Sequence, residues 1–563
     1  MFLGPDFQDV KLGANAATLV LAAASATTWF VYLKWSETTR VRRMAHSRMA
    51  ESGNAGSSSL PSPLPVLPRW VPFVGGHTLQ METDKLNQQI ESWAEEFGGD
   101  FELSITGQKI VFVTGSEDIR RILMLRPSKF KRGWTTDQLP WMSRKIGMEP
   151  SLFFDEGKEW GRSRRLISPS INGHNVANMI PSITKIAERV CAKLGDQEGE
   201  VVEFVKTFEC YTHDVIALAA FAFDADSVRS TKDQPCVSFV SMRKIADAIM
   251  ALIMDPLAML GWTIMPWLLP WVRDTKRSTQ ELHHVVEGAI DVVRRQVKES
   301  GDDLPNGCPG ALLRKLISIE GSSDSTIKGL NNRMTFSDAE IMTQVKGLFL
   351  AGSETTAKTL SWALYFLAKH PEMHSRCREE ALRVAPSSDG MVSTAEQASQ
   401  LVYSLAVFKE TLRLWPAATV LFVHSTEPTT MKSGMQLEAG TAFSLLLRYP
   451  SLSEDAFTRA KEFVPERWIE AERERALLSK TSACGTGENT VVHNEETLHH
   501  FGGGPRKCPG KDMACMEAII ILSAICARFD VALAPDQVDP PEEVMTFTSG
   551  VRSLRIVPTR RMA

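Results

Sequence analysis

The sequence predicts a mainly α-helical fold with small β-sheets, preceded by one N-terminal transmembrane helix. Three observations predict it. From residue 150 the apolar residues recur at helical spacing, and strand-like runs are confined mainly to 101–114, 417–424, 434–447 and the C-terminus. The segment from Ser337 to the next proline, Pro371, is long and capped. The 22 residues from Leu12 to Leu33 carry no charge.

Composition narrows the class. Of 563 residues, 43% are apolar, which excludes disorder throughout and supplies a core that needs no disulfide or metal. Length alone favours three or four domains at ~150 residues each. The balance of 63 basic against 67 acidic side chains gives no footprint of nucleic-acid binding. Nine cysteines, odd in number and thinly spread, make no disulfide scaffold.

Residues 1–35 read as a membrane anchor. A helix over Leu12–Leu33 would be ~33 Å long, enough for a hydrocarbon core of ~30 Å. Trp29, Tyr32 and Trp35 fall at its C-terminal end, where amphipathic rings favour the headgroup layer. Lys34, Arg40, Arg42 and Arg43 follow, whereas Asp6, Asp9 and Lys11 precede, so the bulk of the chain is placed in the cytosol. A cleaved signal peptide would need a positive start and a shorter apolar core. Residues 36–72 form a linker, flexible first and then stiffened by Pro61, Pro63, Pro65, Pro68 and Pro72. Ile245–Val272, broken by Asp255, Pro256, Pro266 and Pro270, reads as helices and turns presenting an apolar surface to the bilayer.

The long helix begins at a capping box, Ser337 and Glu340, with Phe336 and Ile341 spaced as a hydrophobic staple. It can run ~32 residues, or ~48 Å, to near Lys369. In its middle stands Ala351-Gly352-Ser353-Glu354-Thr355-Thr356. Glycine costs ~1 kcal/mol inside a helix, and threonine bonds back to the preceding turn. Small residues, a carboxylate and hydroxyls would open a polar groove there. Taken alone, the same residues fit a helix-packing notch.

Near the C-terminus the chain reads Phe501-Gly502-Gly503-Gly504-Pro505-Arg506-Lys507-Cys508-Pro509-Gly510. The helix after it, Lys511 to Phe529, is apolar on nearly all sides and therefore buried. Cys508 thus precedes a helix start, where free N–H groups and the macrodipole favour a thiolate, and glycines admit a flat ligand. A phosphate loop is excluded by Pro505 and Asp512 at its required glycine and hydroxyl positions. Cys515 and His499–His500 lack a zinc-finger spacing. A single thiolate with an arginine fits one axial ligand to haem iron.

This segment resembles the haem-binding signature of the cytochrome P450 family, with Phe501, Gly504, Arg506, Cys508 and Gly510 at its fixed positions. A second C-P-G, at Cys308–Gly310, lacks the phenylalanine and arginine and reads as a surface turn. Other family motifs occur in order. Trp160 and Arg164 resemble the helix pair that contacts a haem propionate, and Ala351–Thr356 resembles the distal oxygen-activation motif. Glu410 and Arg413 resemble the E-x-x-R pair, and Arg467, in Pro465–Trp468, the arginine that joins it. The resemblance runs from about Pro61 to Val557.

The resemblance implies a cytochrome P450 fold over residues 73–563, with a surface insertion around 471–498. It implies haem b (iron protoporphyrin IX) with Cys508 as axial ligand. Arg506, Trp160 and Arg164 would hold propionates, with Ala351 and Gly352 on the distal face. Glu354 and Thr355 would order water and deliver protons, and Glu410, Arg413 and Arg467 would serve folding and haem retention. The implied activity inserts one oxygen atom from O2 into a lipophilic molecule. No flavin or nicotinamide segment is recognisable, so electrons are expected from an NADPH-dependent flavoprotein reductase, with cytochrome b5 as a second donor. Lys507, Lys511, Lys158, Arg162 and Arg165 would form a basic docking patch for it. With the anchor, this places the protein in the endoplasmic reticulum membrane, haem domain to the cytosol.

One departure touches the site: after Pro416 the family often has a propionate-binding Arg or His, and here His424 either fills that role or is a strand histidine. Trp141–Phe154, Phe349, Ala351, Ala417–Phe422 and Phe547–Val551 are expected to line the substrate pocket. Two other readings stand beside the monooxygenase: a haem-thiolate isomerase or dehydratase acting on a peroxide, and a noncatalytic haem-binding membrane protein.

Overall fold

A computed structural model of the chain describes residues 85–561, apart from 106–107, 134–137, 150, 255–257, 259–260, 264–265, 301–308, 322–335, 433, 435 and 472–496. The expected anchor and linker, nearly all of the insertion, and Cys308 lie outside the described residues. Among those described, no helix is long and apolar enough to cross a membrane.

In chain order the principal helices are α1 (Leu86–Phe97), α2 (Ser116–Leu125), α3 (Gln138–Lys145), α4 (Gly157–Ile167), α5 (Ile180–Asp196), α6 (Phe204–Val215) and α7 (Val237–Met254). They continue as α8 (Pro270–Ser300), α9 (Ala311–Gly321), α10 (Asp338–Lys369), α11 (Pro371–Val384), α12 (Val402–Leu414) and α13 (Lys511–Arg528). The strands are β1 (Phe101–Ile105), β2 (Gln108–Val113), β3 (Phe130–Arg132), β4 (Val202–Glu203), β5 (Val420–Ser425) and β6 (Thr429–Thr430). After them come β7 (Gln436–Leu437), β8 (Ala442–Leu446), β9 (Phe529–Leu533), β10 (Glu543–Met545), β11 (Ser549–Val551) and β12 (Arg555–Arg560).

The expected capping box starts α10: Ser337 Oγ accepts from the Glu340 N–H, and the Glu340 carboxylate accepts from the Ser337 N–H at 2.8 Å. Asp338 and Glu340 complement the helix dipole, and the helix stops at Lys369, two residues before Pro371. α6 packs along its middle, and α12 and α13 pack against it as well. In α13 Ile520, Ile521, Leu522 and Ile525 are fully buried, as its all-round apolar sequence requires.

The main sheet has the order β1-β2-β8-β5-β3. β1 and β2 are an antiparallel hairpin in which Phe101 lies opposite Phe112, their rings stacked at 4.8 Å. β8 runs parallel to β2, and β5 antiparallel to β8. Edge strand β3 hydrogen-bonds to β5 with Lys131 opposite His424 and Arg132 opposite Val423.

α12 is tied to the following loops by a buried ionic network. Arg413 donates to both oxygens of Glu410, at 3.0 and 2.8 Å, and to the carbonyls of Ser451, Ala460 and Glu462. Arg467 Nε, Trp468 Nε1 and the Val464 N–H also donate to Glu410, at 3.1, 3.0 and 2.9 Å. Every charge in it meets a partner, the condition under which buried ions hold a structure together.

Candidate active site

The loop that carries Cys508 is closed on itself: the Cys508 N–H donates to the Phe501 carbonyl at 2.8 Å, and the Gly502 N–H to that of His499 at 2.7 Å. Gly504 has φ +60°, and a Cβ there would stand 2.5 Å from the Leu123 carbonyl oxygen, so only glycine lets this loop rest on the end of α2. Gly510 caps α13, and the half-buried Cys508 precedes it. The expected pull of the helix start on the thiol is overridden. Burial raises the Cys508 pKa above its ordinary value, although the Gly510 N–H, Arg164 and Arg132 oppose the rise.

Arginines gather around that thiol. Arg506 is buried, pairs with Glu156 at 2.6 Å, donates to the Asp155 carbonyl, and sits 4.5 Å above the Trp160 ring. Arg164, one turn after Trp160 on α4, acts on Cys508 electrostatically. Arg126 and Arg132, which sequence reasoning missed, complete the cluster: burial and the neighbouring guanidiniums push both downward in pKa, Arg126 to about 10. Among the described residues, buried N–H atoms of Arg126, Arg132 and Arg506 have no hydrogen-bond partner. The only signal for Arg126 in sequence was its place between a helix end and Pro127. Of the basic patch, Lys158, Arg165, Lys507 and Lys511 are exposed, but Arg162 is spent on Glu340 at the α10 cap.

On α10, Leu348, Ala351, Gly352 and Thr355 are partly accessible and share an i, i+3, i+4, i+7 face, and Glu354 beside them is partly accessible too. The Thr355 hydroxyl donates back to the Ala351 carbonyl at 2.9 Å. Gly352 is also the packing notch considered above, since a Cβ there would meet Ile216 Cδ1 at 2.5 Å. The Glu354 carboxylate accepts from the hydroxyls of Thr546 and Thr548, at 2.6 and 2.9 Å, on the turn between β10 and β11. Thr548 falls in the Phe547–Val551 stretch expected at the pocket, whereas Thr546 was not anticipated. Phe349, expected in the pocket, is buried on the other side against His213 and Phe221.

His424 is buried on β5, its Nδ1 3.0 Å from the Gly133 carbonyl. Residues opposite one another in a sheet share a face, so His424 shares the face of Lys131, and Val423 that of Arg132. His424 is thus a strand residue whose Nδ1 is turned to the β3 end, on the face opposite Arg132.

A family profile described as Cytochrome P450 matches residues 65–556. The chain belongs to the cytochrome P450 family. Among curated relatives of this P450, an 11-oxo-beta-amyrin 30-oxidase of Glycyrrhiza uralensis is 27% identical over 70% of this chain and 69% of its own. A chloroplastic carotene epsilon-monooxygenase of Arabidopsis thaliana is 24% identical over 80% of this chain and 77% of its own. A self-sufficient cytochrome P450 monooxygenase of Aspergillus terreus is 25% identical over 84% of this chain but only 40% of its own.

The P450 is thus an oxidoreductase of the monooxygenase class, and its cofactor is haem b with a cysteine thiolate as axial ligand. The residues present fit that group. Haem b brings two carboxylates, and near Cys508 stand Arg164 and three further guanidiniums, those of Arg126, Arg132 and Arg506, that keep unpartnered buried N–H groups among the described residues.

Proposed function

We propose that this P450 inserts one oxygen atom from O2 into a lipophilic organic molecule, by hydroxylation or epoxidation, with electrons from a separate reductase. The observation that carries the reading is the arginine cluster with orphaned N–H groups around Cys508. Cys508 would hold the haem by its thiolate. Arg506, Arg164, Arg126 and Arg132 would hold its propionates, with Trp160 fixing the Arg506 plane. When bound, haem b supplies the oxygen-activating chemistry. The accessible face of α10 forms the wall opposite. There Thr355 would orient water by its hydroxyl, and Glu354 would pass protons inward once released from Thr546 and Thr548.

Support for a lipophilic molecule comes from the apolar members of that wall and from relatives that carry carotene and 11-oxo-beta-amyrin in their names. Support for a separate reductase comes from the exposed basic residues on α4 and beside Cys508. An NADPH-dependent flavoprotein, with cytochrome b5 as a second donor, would dock at Lys158, Arg165, Lys507 and Lys511. Residues 12–33 would anchor the protein in the endoplasmic reticulum membrane, followed by the 36–72 linker and the haem domain from 73. The exposed Trp267 and Leu268 would meet the bilayer surface.

The test is reductant-dependent oxygen uptake by the holoprotein, with the spectrum of its reduced carbon monoxide complex. Oxygen uptake with product formation supports the reading. Turnover of peroxides without reductant or oxygen would replace it by the isomerase reading. A thiolate-type spectrum that survives Cys508→Ser would overturn the ligand.

A further inference from the structure

A cavity of about 690 Å³ lies apart from the Cys508 loop, between the end of α3, the 262–266 segment, α8 and the first third of α10. Arg144, Lys145, Lys276, Lys346 and His283 line it, and among the described residues no Asp or Glu does. The rest of the wall is largely apolar, with Ile146, Trp262 and Pro266. Thr279 lies there too, but its hydroxyl is committed to the Ile146 carbonyl at 2.8 Å. A cavity of a few hundred Å³ with apolar walls and a few fixed polar groups is the usual form of a small-molecule site.

Lys346 distinguishes this cavity from a patch of surface charge. It is 6% exposed, and its ammonium meets His283 Nδ1 at 3.1 Å. Among the described residues no carboxylate pairs with it. The other two lysines of α10 both have one: Lys358 meets Glu209 and Lys369 meets Asp539. Burial pulls the Lys346 pKa down to about 8. A buried ammonium without a counter-ion is costly and persists where something else offsets it.

We propose that the cavity binds a small organic acid, its carboxylate on Lys346 and its apolar body against Trp262 and Pro266. Arg144, Lys276 and His283 are exposed at the rim, so a free acid can pass them and reach the covered lysine. A headgroup tethered in a bilayer would stop at the rim.

The experiment uses the full-length holoprotein with an imidazole ligand occupying the iron, so that the haem pocket does not report. Decanoate, below its micellar concentration, is titrated calorimetrically against decanol as the uncharged probe. One equivalent of decanoate should bind, decanol should bind at least about tenfold more weakly, and Lys346→Met should weaken decanoate about tenfold. Arg144→Ala and Lys276→Ala, both at exposed positions, should each weaken it about two- to threefold, and they carry the test if the buried variant does not fold. The inference is overturned if decanol matches decanoate, or if decanoate binding vanishes when imidazole is present. It is equally overturned if the folded variants bind decanoate like the wild type, or if binding is seen only with anionic phospholipid vesicles.

Discussion

Replacing Glu410 by Gln changes one atom and almost no volume, which makes it a sharp probe of the network behind the site. Glu410 accepts five hydrogen bonds, from Arg413 Nε and Nη2, Arg467 Nε, Trp468 Nε1 and the Val464 N–H, all between 2.8 and 3.1 Å. Glutamine offers one acceptor oxygen and turns an NH2 toward groups that are themselves donors. At least two N–H groups then lose their partner, and two buried guanidiniums lose their counter-ion. Orphaned buried donors cost ~1–3 kcal/mol each, and breaking a buried ion pair ~3–5 kcal/mol, so Glu410→Gln should destabilise by about 3–5 kcal/mol. The assay is urea unfolding followed by tryptophan fluorescence, with haem content measured on the same samples. Glu466→Gln is the control. Its carboxylate is 31% exposed and pairs with the exposed Arg376, a contact worth about 0–1 kcal/mol. If Glu410→Gln loses no more than Glu466→Gln, the network is not what holds α12 to the loops around it.

Three further perturbations separate causes elsewhere. Gly504→Ala drives a Cβ to 2.5 Å from the Leu123 carbonyl at φ +60°, so it should cost ~2 kcal/mol or more and lower haem content. Gly440→Ala, at φ +84° with nothing within 4 Å, should show the smaller conformational part alone, and equal losses in the two would refute the clash. Thr355→Ala should raise reductant consumption per product formed, measured as the ratio of reductant oxidised to product; unchanged coupling removes Thr355 from proton delivery. His213 is fully buried, with its pKa pulled down to about 3 by burial. The unfolded chain protonates this histidine below about pH 6.5 and the folded chain does not until about pH 3. Stability is therefore lost as pH falls through that window, with a slope of up to ~1.4 kcal/mol per pH unit. His213→Gln, placed to keep the bond to Ser238 Oγ, should flatten that slope in urea unfolding between pH 6 and 4.

Much of this was legible in the sequence because it is local. The capping box of α10, the Glu410–Arg413 spacing and the Phe501–Gly510 loop are each fixed by neighbours within ten residues, and each forms as expected. The strand-like runs also fell where β1, β2, β5, β8 and the C-terminal strands lie. The remainder depended on distant contacts. Arg506 meets Asp155 across 351 residues, and Arg132 arrives at the cluster by way of an edge strand. Periodicity placed Phe349 on a helix without saying which side faces the pocket. The face of His424 depends on a register that only the pairing of β3 with β5 sets. For Cys508, the helix start was visible in the sequence and the depth of burial was not, and burial is the stronger influence on its proton.

The cluster around Cys508 also bears on how the protein is made. Arg126, Arg132 and Arg506 repel one another and have Glu156 as their shared counter-charge. Before haem arrives, that repulsion works against closing the segment 126–132 onto α4. The two carboxylates of the cofactor would reverse its sign. The segment 126–132 would then close more firmly on α4 in the holoprotein than without the cofactor.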